Sequence, residues 1–269
     1  MTRPRTIELL SPTADISVEI VAETIAVVEI NRPPNNFFDV PLLQQIGGIY
    51  RQVDQRNDLR VIVLAAQGKH FCAGADFAGT SGVEEVSADE GAKALYKAAV
   101  ELFSTKTPVI AAVQGAAVGG GLGLALSADF RVGSPESRFA ANFARLGFHQ
   151  GFGLSVTLPR VVGNQRAAEL LMTGRRIDGL EAERIGILDR LVESNKIRDT
   201  AIEFASELAA AAPLAVGSIR ATLRHGLVDQ IAAATVHERN EQAWLRDTAD
   251  FAEGVKAASE RREPHFRGR

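Results

Sequence analysis

The sequence contains one cysteine, Cys72, so it can form neither an intrachain disulfide nor a CxxC metal knuckle. A reducing, cytoplasmic setting is the expectation. Neither sign of charge dominates: 30 basic residues stand against 33 acidic ones, for a formal net charge of −3. No broad basic field exists to attract nucleic acid. No apolar run approaches the roughly 20 residues of a membrane helix. The most apolar stretch, 108–123, is interrupted by Gln114 and five glycines. The first twenty residues hold no apolar core of signal-peptide type, and Asp15 and Glu19 break the pattern, so no leader and no membrane partner are expected. Tryptophan occurs once and tyrosine twice, against thirteen phenylalanines, so most aromatic surface lacks a polar handle. What remains is ordinary globular composition, 46% hydrophobic and 23% charged. A length of 269 residues suits one large α/β domain, with or without an appendage.

Residues 16–21 and 25–30 alternate and are rich in Val and Ile, which predicts a hairpin turning at 22–24. The prolines and asparagines of NRPPNNFFDVP (31–41) predict a loop, with Asp39 as a helix N-cap and Pro41 in the first turn. Leu42, Leu43, Ile46, Ile49, Tyr50 and Val53 follow at helical spacing. RVIVLAA (60–66) is apolar on both faces, as a buried strand requires. A glycine-rich loop (68–82), a helix (89–106), a buried strand (108–113) and a helix (119–127) come next. From residue 197 the pattern is helical throughout, which predicts a C-terminal appendage. Buried strands alternating with helices predict a layered α/β fold.

Two segments carry the chemistry. HFCAGADF (70–77) and AAVQGAAVGGGLGLALSADF (111–130) each put small residues directly after a buried strand. Glycine there lets backbone approach a ligand, and free N–H groups at a helix start attract developing negative charge. Other readings of the glycines fail. Neither GxGxxG nor GxxxxGK[ST] occurs, GLSVT around Ser155 is not a GxSxG elbow, and His237 opens HERNE rather than HExxH. No metal site is expected.

With NRPPNN, FCAGADF, PVIAAVQGAAVGGGLGLALSADFRV, LPRVVGNQRAAELLMTGRRIDGLEAERIGILDRLV and the ending TADFAEGVKAASERREPHFRGR in order, the chain resembles the crotonase (enoyl-CoA hydratase/isomerase) superfamily nearly end to end. The resemblance implies a spiral of ββα units over 1–196, followed by a helical trimerisation region over 197–269. It implies a homo-trimer or hexamer and an acyl-CoA substrate. Coenzyme A would be part of that substrate, with no further cofactor. By position, the backbone N–H groups of Ala75 and Gly120 would polarise the thioester carbonyl. Phe37, Ala73, Asp76, Phe77, Gly119 and Phe143 would border the substrate, with Asp76 also holding the loop. The tail arginines Arg261, Arg262, Arg267 and Arg269 would lie near the coenzyme A of an adjacent subunit, or simply solubilise.

The sequence departs from the family at the acids. The hydratase glutamates would fall at Gly123 and, twenty residues on, at Phe143. A third carboxylate position, used in some isomerases and dehalogenases, falls at Gly151. A general acid or base contributes about 10²–10⁴-fold, so ordinary hydration is not expected. His149 is the candidate replacement, its unperturbed pKa of roughly 6.5 suiting proton transfer. A loop histidine facing a backbone carbonyl is the plain alternative. Gln150 and Asn142 are candidate polar contacts, His70 and Cys72 read as structural, and Glu84, Glu85, Asp89 and Glu90 suit a helix start. Three functions stay open: an enolate- or oxyanion-stabilising enzyme, a thioester or C–C hydrolase using His149, and a non-catalytic acyl-CoA-binding homologue.

Overall fold

The computed structural model describes residues 13–75 and 88–269. Strands β1 (Ile16–Val21) and β2 (Ile25–Ile30) form the expected antiparallel hairpin. Ala22 and Glu23 turn it in the left-handed region, with φ of 50° and 60°. Helix α1 (Val40–Asp54) starts at Asp39, whose carboxylate accepts from Leu42 N at 2.9 Å, and its six periodic apolar residues are all buried. Then come β3 (Val61–Ala66), α2 (Ala88–Phe103), β4 (Val109–Val113), β5 (Ala116–Val118) and α3 (Gly120–Ser127). The chain continues through β6 (Phe130–Gly133), β7 (Arg138–Ala140), a helical turn at Asn142–Leu146, α4 (Leu154–Val162) and α5 (Asn164–Thr173). It ends with β8 (Arg176–Asp178), α6 (Gly179–Arg184), β9 (Arg190–Leu191), α7 (Ile197–Ala210), α8 (Pro213–Leu223), α9 (Leu227–Leu245) and α10 (Ala249–Glu260).

The strands make a six-stranded sheet in the order β1-β2-β3-β4-β6-β9, parallel from β2 onward, and a second sheet, β5-β7-β8. Strands β5 to β9 have no counterpart in the sequence pattern. At two to four residues each, they are too short to carry a period-two signal. Long-range pairing specifies them.

The continuous apolar strands have a simple cause. Val28, Ile62, Leu64, Ala111 and Val113 face α1, α2 and α3, while Val27, Val61, Val63, Ile110 and Ala112 face the other way. The second face is covered by Ile197, Ala201, Ala205 and Ala209 of α7. Alanines four apart leave a flat stripe that lies close to the sheet, and Arg60 Nη1 donates to Ala209 O at 2.7 Å. Helix α7 is therefore a layer of the core, which corrects the expectation of an appendage for this part of the C-terminal region.

Helix α8 is held by charge. Asp129 accepts from Val109 N at 2.8 Å, from Arg220 Nε at 2.8 Å and from Arg224 Nη1 at 2.9 Å. Arg220 and Asp129 are nearly buried, so this pair is a fixed joint between sheet and helix.

Candidate functional site

The two glycine segments meet. Phe71 N donates to Gln114 O at 2.8 Å, Cys72 N to Ala116 O at 3.0 Å and Val118 N to Cys72 O at 3.1 Å. On the other side, Ala73 N donates to Asn35 O at 2.9 Å and Phe38 N to Gly74 O at 3.0 Å. The loop 71–75 is thus laced between the 35–38 segment and β5. Asn36, fully buried, acts as the hub: its amide donates to Gln67 O at 2.7 Å and to His70 O at 2.6 Å. His70 is structural as expected, its Nδ1 accepting from Ala116 N at 3.2 Å. Burial holds its pKa below the usual value, consistent with an unprotonated acceptor.

Gly74 has φ +110°, and a Cβ there would lie 3.2 Å from Val118 O and 4.0 Å from Gly120 N. The 74–75 backbone therefore borders the first turn of α3. Gly119 caps that turn with φ 57° and anchors its own N–H to Ala140 O at 2.8 Å. Inside the turn, Leu122 N and Gly123 N both return to Gly119 O. Among the described residues, no group accepts from Ala75 N or Gly120 N. First-turn N–H groups have no intrahelical acceptor, which accounts for Gly120 N, while Ala75 N belongs to the loop that borders this turn. Side chains are excluded at two positions of the turn: a Cβ on Gly121 would overlap Cys72 O, and one on Gly120 would overlap the Phe38 ring. Cys72 is a buried core residue, its thiol pushed up to about 12 by burial.

The opposite wall explains the missing acids. A Cβ on Gly123 would lie 2.7 Å from Phe152 Cβ, Cγ and Cδ1. Phe143 is buried, with its ring tip 3.7 Å from a Cβ placed on Gly119, where Asn142 Oδ1 also lies at 3.4 Å. A Cβ on Gly151 would overlap Tyr96 Oη and lie 2.8 Å from Gln242 Nε2. Each of the three carboxylate positions is therefore occupied by an aromatic ring or an uncharged polar group.

Four residues of this wall escaped the sequence reading. Tyr96 Oη donates to Gln242 Oε1 at 2.7 Å, and Gln242 Nε2 donates to His149 O at 2.9 Å. Burial, reinforced by the Glu238 charge, raises the Tyr96 pKa and keeps the phenol protonated. Glu238, fully buried, accepts from Gly153 N at 2.8 Å and Ser155 N at 3.0 Å, so it caps α4 from α9. Phe152, with φ 62°, packs edge-on to Phe38 and Phe103, with ring centroids at 5.3 Å and 6.5 Å. A charged residue in step with Ile231, Thr235 and Gln242 on the buried side of α9 was the available signal for Glu238. Nothing local marked Phe152.

Other candidates fall elsewhere. His149 Nδ1 sits 2.8 Å from Gln150 O, and its ring meets His237 edge-on at 5.8 Å. It lines a cleft of about 460 Å³ with Phe148, Gln150, Leu171, Met172 and Leu245, to which neither Ala75 nor Gly120 contributes. Gln150 Nε2 donates to Ser155 Oγ at 3.1 Å. Ala73 is half-buried beside the loop, and Phe37 is 37% exposed at its rim. Asp76, Phe77, Glu84 and Glu85 lie outside the described residues, as does the side chain of Asp89. The tail folds onto its own α10. Arg262 pairs with Glu253 and Glu260, and Asp250 accepts from Arg267 N and Gly268 N. Arg262 holds the Glu253 carboxyl down to about 2.

Comparison with known proteins gives a consistent result. The family model described as Enoyl-CoA hydratase/isomerase matches residues 21–269. The chain is 33% identical over 247 residues to a carnitinyl-CoA dehydratase of Proteus mirabilis, covering 89% of this chain and 94% of that protein. It superposes on an enoyl-CoA hydratase/isomerase from Pseudoalteromonas atlantica with a TM-score of 0.83 at 26% identity, covering 94% of this chain and all of the other. An enoyl-CoA hydratase from Bacillus anthracis gives a TM-score of 0.74 at 31% identity, covering 95% of this chain and all of that one.

Proposed function

The chain belongs to the enoyl-CoA hydratase/isomerase family, and from that premise we propose that it acts on acyl-CoA thioesters by stabilising an enolate or oxyanion at Ala75 N and Gly120 N. The observation that carries the reading is the pair of donors without acceptors among the described residues, at a turn where glycine is sterically required. As the α-proton leaves or a nucleophile adds, the thioester oxygen gains negative charge. Fixed backbone donors meet that charge without reorganising, and one such donor is worth about 2.7–4 kcal/mol. Coenzyme A is part of the substrate, and this chemistry needs no further cofactor.

Hydration in its usual two-carboxylate form does not fit, because Gly123 and Phe143 carry no acid and the Gly123 position is filled by Phe152. Proton transfer falls to a group on the substrate or to a neighbouring side chain. His149 retains one free nitrogen, Nε2, when Nδ1–H donates to Gln150 O. It lines a cleft to which neither donor contributes, which makes it the weaker candidate.

The test compares butyryl-CoA with its thioether analogue, which lacks the carbonyl, by calorimetric titration. The donor pair predicts tighter binding of the thioester, and equal affinities would sink the reading. A turnover screen on an acyl-CoA panel separates an enzyme from the runner-up, an acyl-CoA-binding protein without turnover. We also propose a homo-trimer or a hexamer built from trimers, on the exposed Leu214, Ile219 and Leu223 of α8. Mass in solution decides it, and a monomer at micromolar concentration refutes it.

A further inference from the structure

We infer that the cleft between α5 and the 148–150 segment is a second ligand site, built for a free aliphatic carboxylate of medium chain length. Neither Ala75 nor Gly120 lines it, so the inference goes beyond the acyl-CoA reading and does not rest on it. The cleft holds about 460 Å³, within the range of about 300–1,000 Å³ typical of small-molecule sites. One wall is a single face of α5: Asn164, Ala167, Ala168, Leu171 and Met172 follow at helical spacing, and all line the cleft. At about 1.5 Å per residue this face is about 12 Å long, which suits an extended chain. Pro159 of α4, Phe148 and Leu245 of α9 complete the apolar lining. Met172, 78% exposed, gives the rim an adaptable thioether.

Charge selects the head of the ligand. No carboxylate among the described residues lines the cleft, and its polar members are His149, Gln150 and Asn164. Arg246, directly after α9, holds its guanidinium carbon 5.3 Å from the centroid of the Phe148 ring. No carboxylate among the described residues pairs with Arg246, whereas Arg220, Arg224 and Arg262 each have one. A guanidinium resting on a ring keeps its N–H fork available to a carboxylate. An anion with an apolar tail therefore meets a cation beside Phe148 and an apolar channel along α5. An amine of the same length meets the same channel and a repelling charge.

The experiment titrates sodium octanoate and octylamine into the whole chain by calorimetry. Octanoate binds at one site per chain, and octylamine binds at least about tenfold more weakly. Arg246→Gln weakens octanoate about fivefold, the scale of one exposed ion pair, and does not weaken octylamine. Ala168→Trp puts an indole into the channel and abolishes octanoate binding. If Ala168→Trp does not fold, Arg246→Gln carries the test. No octanoate binding at millimolar concentration, equal affinity for the two amphiphiles, or an unchanged affinity in Arg246→Gln overturns the inference. Saturating butyryl-CoA leaves the octanoate affinity unchanged, and one-for-one displacement would put the acid at the donor pair and overturn the inference. Octanoate affinity that falls as the protein self-associates would mean that a second copy covers the cleft, and overturns it as well. A wild type that binds octanoate in this way but binds no thioester overturns the acyl-CoA reading alone.

Discussion

The two walls of the site are built by opposite means. One is mainly backbone: the 71–75 loop borders the first turn of α3, where a Cβ on Gly120 or Gly121 is excluded. The other is all side chain: Phe143, Phe152, Tyr96 and Gln242 pack around the 149–153 loop, which Glu238 pins from below. Backbone donors persist through changes of side chain, because every residue but proline carries one. Side-chain chemistry disappears with a single substitution. A protein can therefore keep the polarising half of a reaction while its proton-transfer half is replaced by aromatic packing.

The largest expected consequence is kinetic. Crotonyl-CoA should be hydrated about 10²–10⁴-fold more slowly than by a two-glutamate hydratase, equivalent to about 2.7–5.5 kcal/mol of barrier. Steady-state absorbance assays measure this. Fast hydration would mean that the side-chain wall supplies an acid after all, and the contrast between the walls would collapse. Restoring Gly123→Glu alone should not recover the rate, because Phe152 fills its place.

Glu238→Ala strikes the side-chain wall from behind. It leaves two buried N–H groups without their charged acceptor, and unfolding in denaturant should show a loss of about 1.5–3 kcal/mol. Gly121→Ala strikes the backbone wall, since its Cβ would overlap Cys72 O. Its cost should be about 1–3 kcal/mol, accompanied by weaker thioester binding as the 72–75 loop shifts. If only stability falls and binding does not, the loop does not carry the donors.

Alkaline pH separates the walls most finely. Cys72 has a folded pKa of about 12, raised by burial from its ordinary 9.0. Above pH 9 the unfolded chain has lost that proton and the native state has not, so stability falls as pH rises towards 12, at about 1.4 kcal/mol per pH unit. Cys72→Ala should remove this part of the slope. Tyr96, also raised by burial from 10.0, adds its part only above pH 10, and Tyr96→Phe should remove it. Melting curves across this range distinguish the two onsets.

Much of this molecule was legible in one dimension. Periodicity gave the hairpin, α1 with its Asp39 cap, β3, β4 and α3 to within a few residues. The glycine runs marked the backbone wall because the requirement for no side chain is written at the position itself. The short strands β5 to β9 were not legible, since two to four residues carry no period of their own. The packing of α7 against the sheet was also hidden. Its stripe of alanines looks like any helix-forming run until a flat apolar surface is set beneath it.

The sequence by itself determined which acids are absent, that glycines crowd two strand ends, and that the chain has the family's motifs in order. Only the tertiary structure decided what stands where the acids would be. Phe152, Tyr96, Glu238 and Gln242 come from a loop and two helices separated by as much as 146 residues, as in the Tyr96–Gln242 hydrogen bond. No local pattern links such positions, because the forces that join them, ring packing and burial of a hydrogen-bonded carboxylate, act only once the chain has closed those distances.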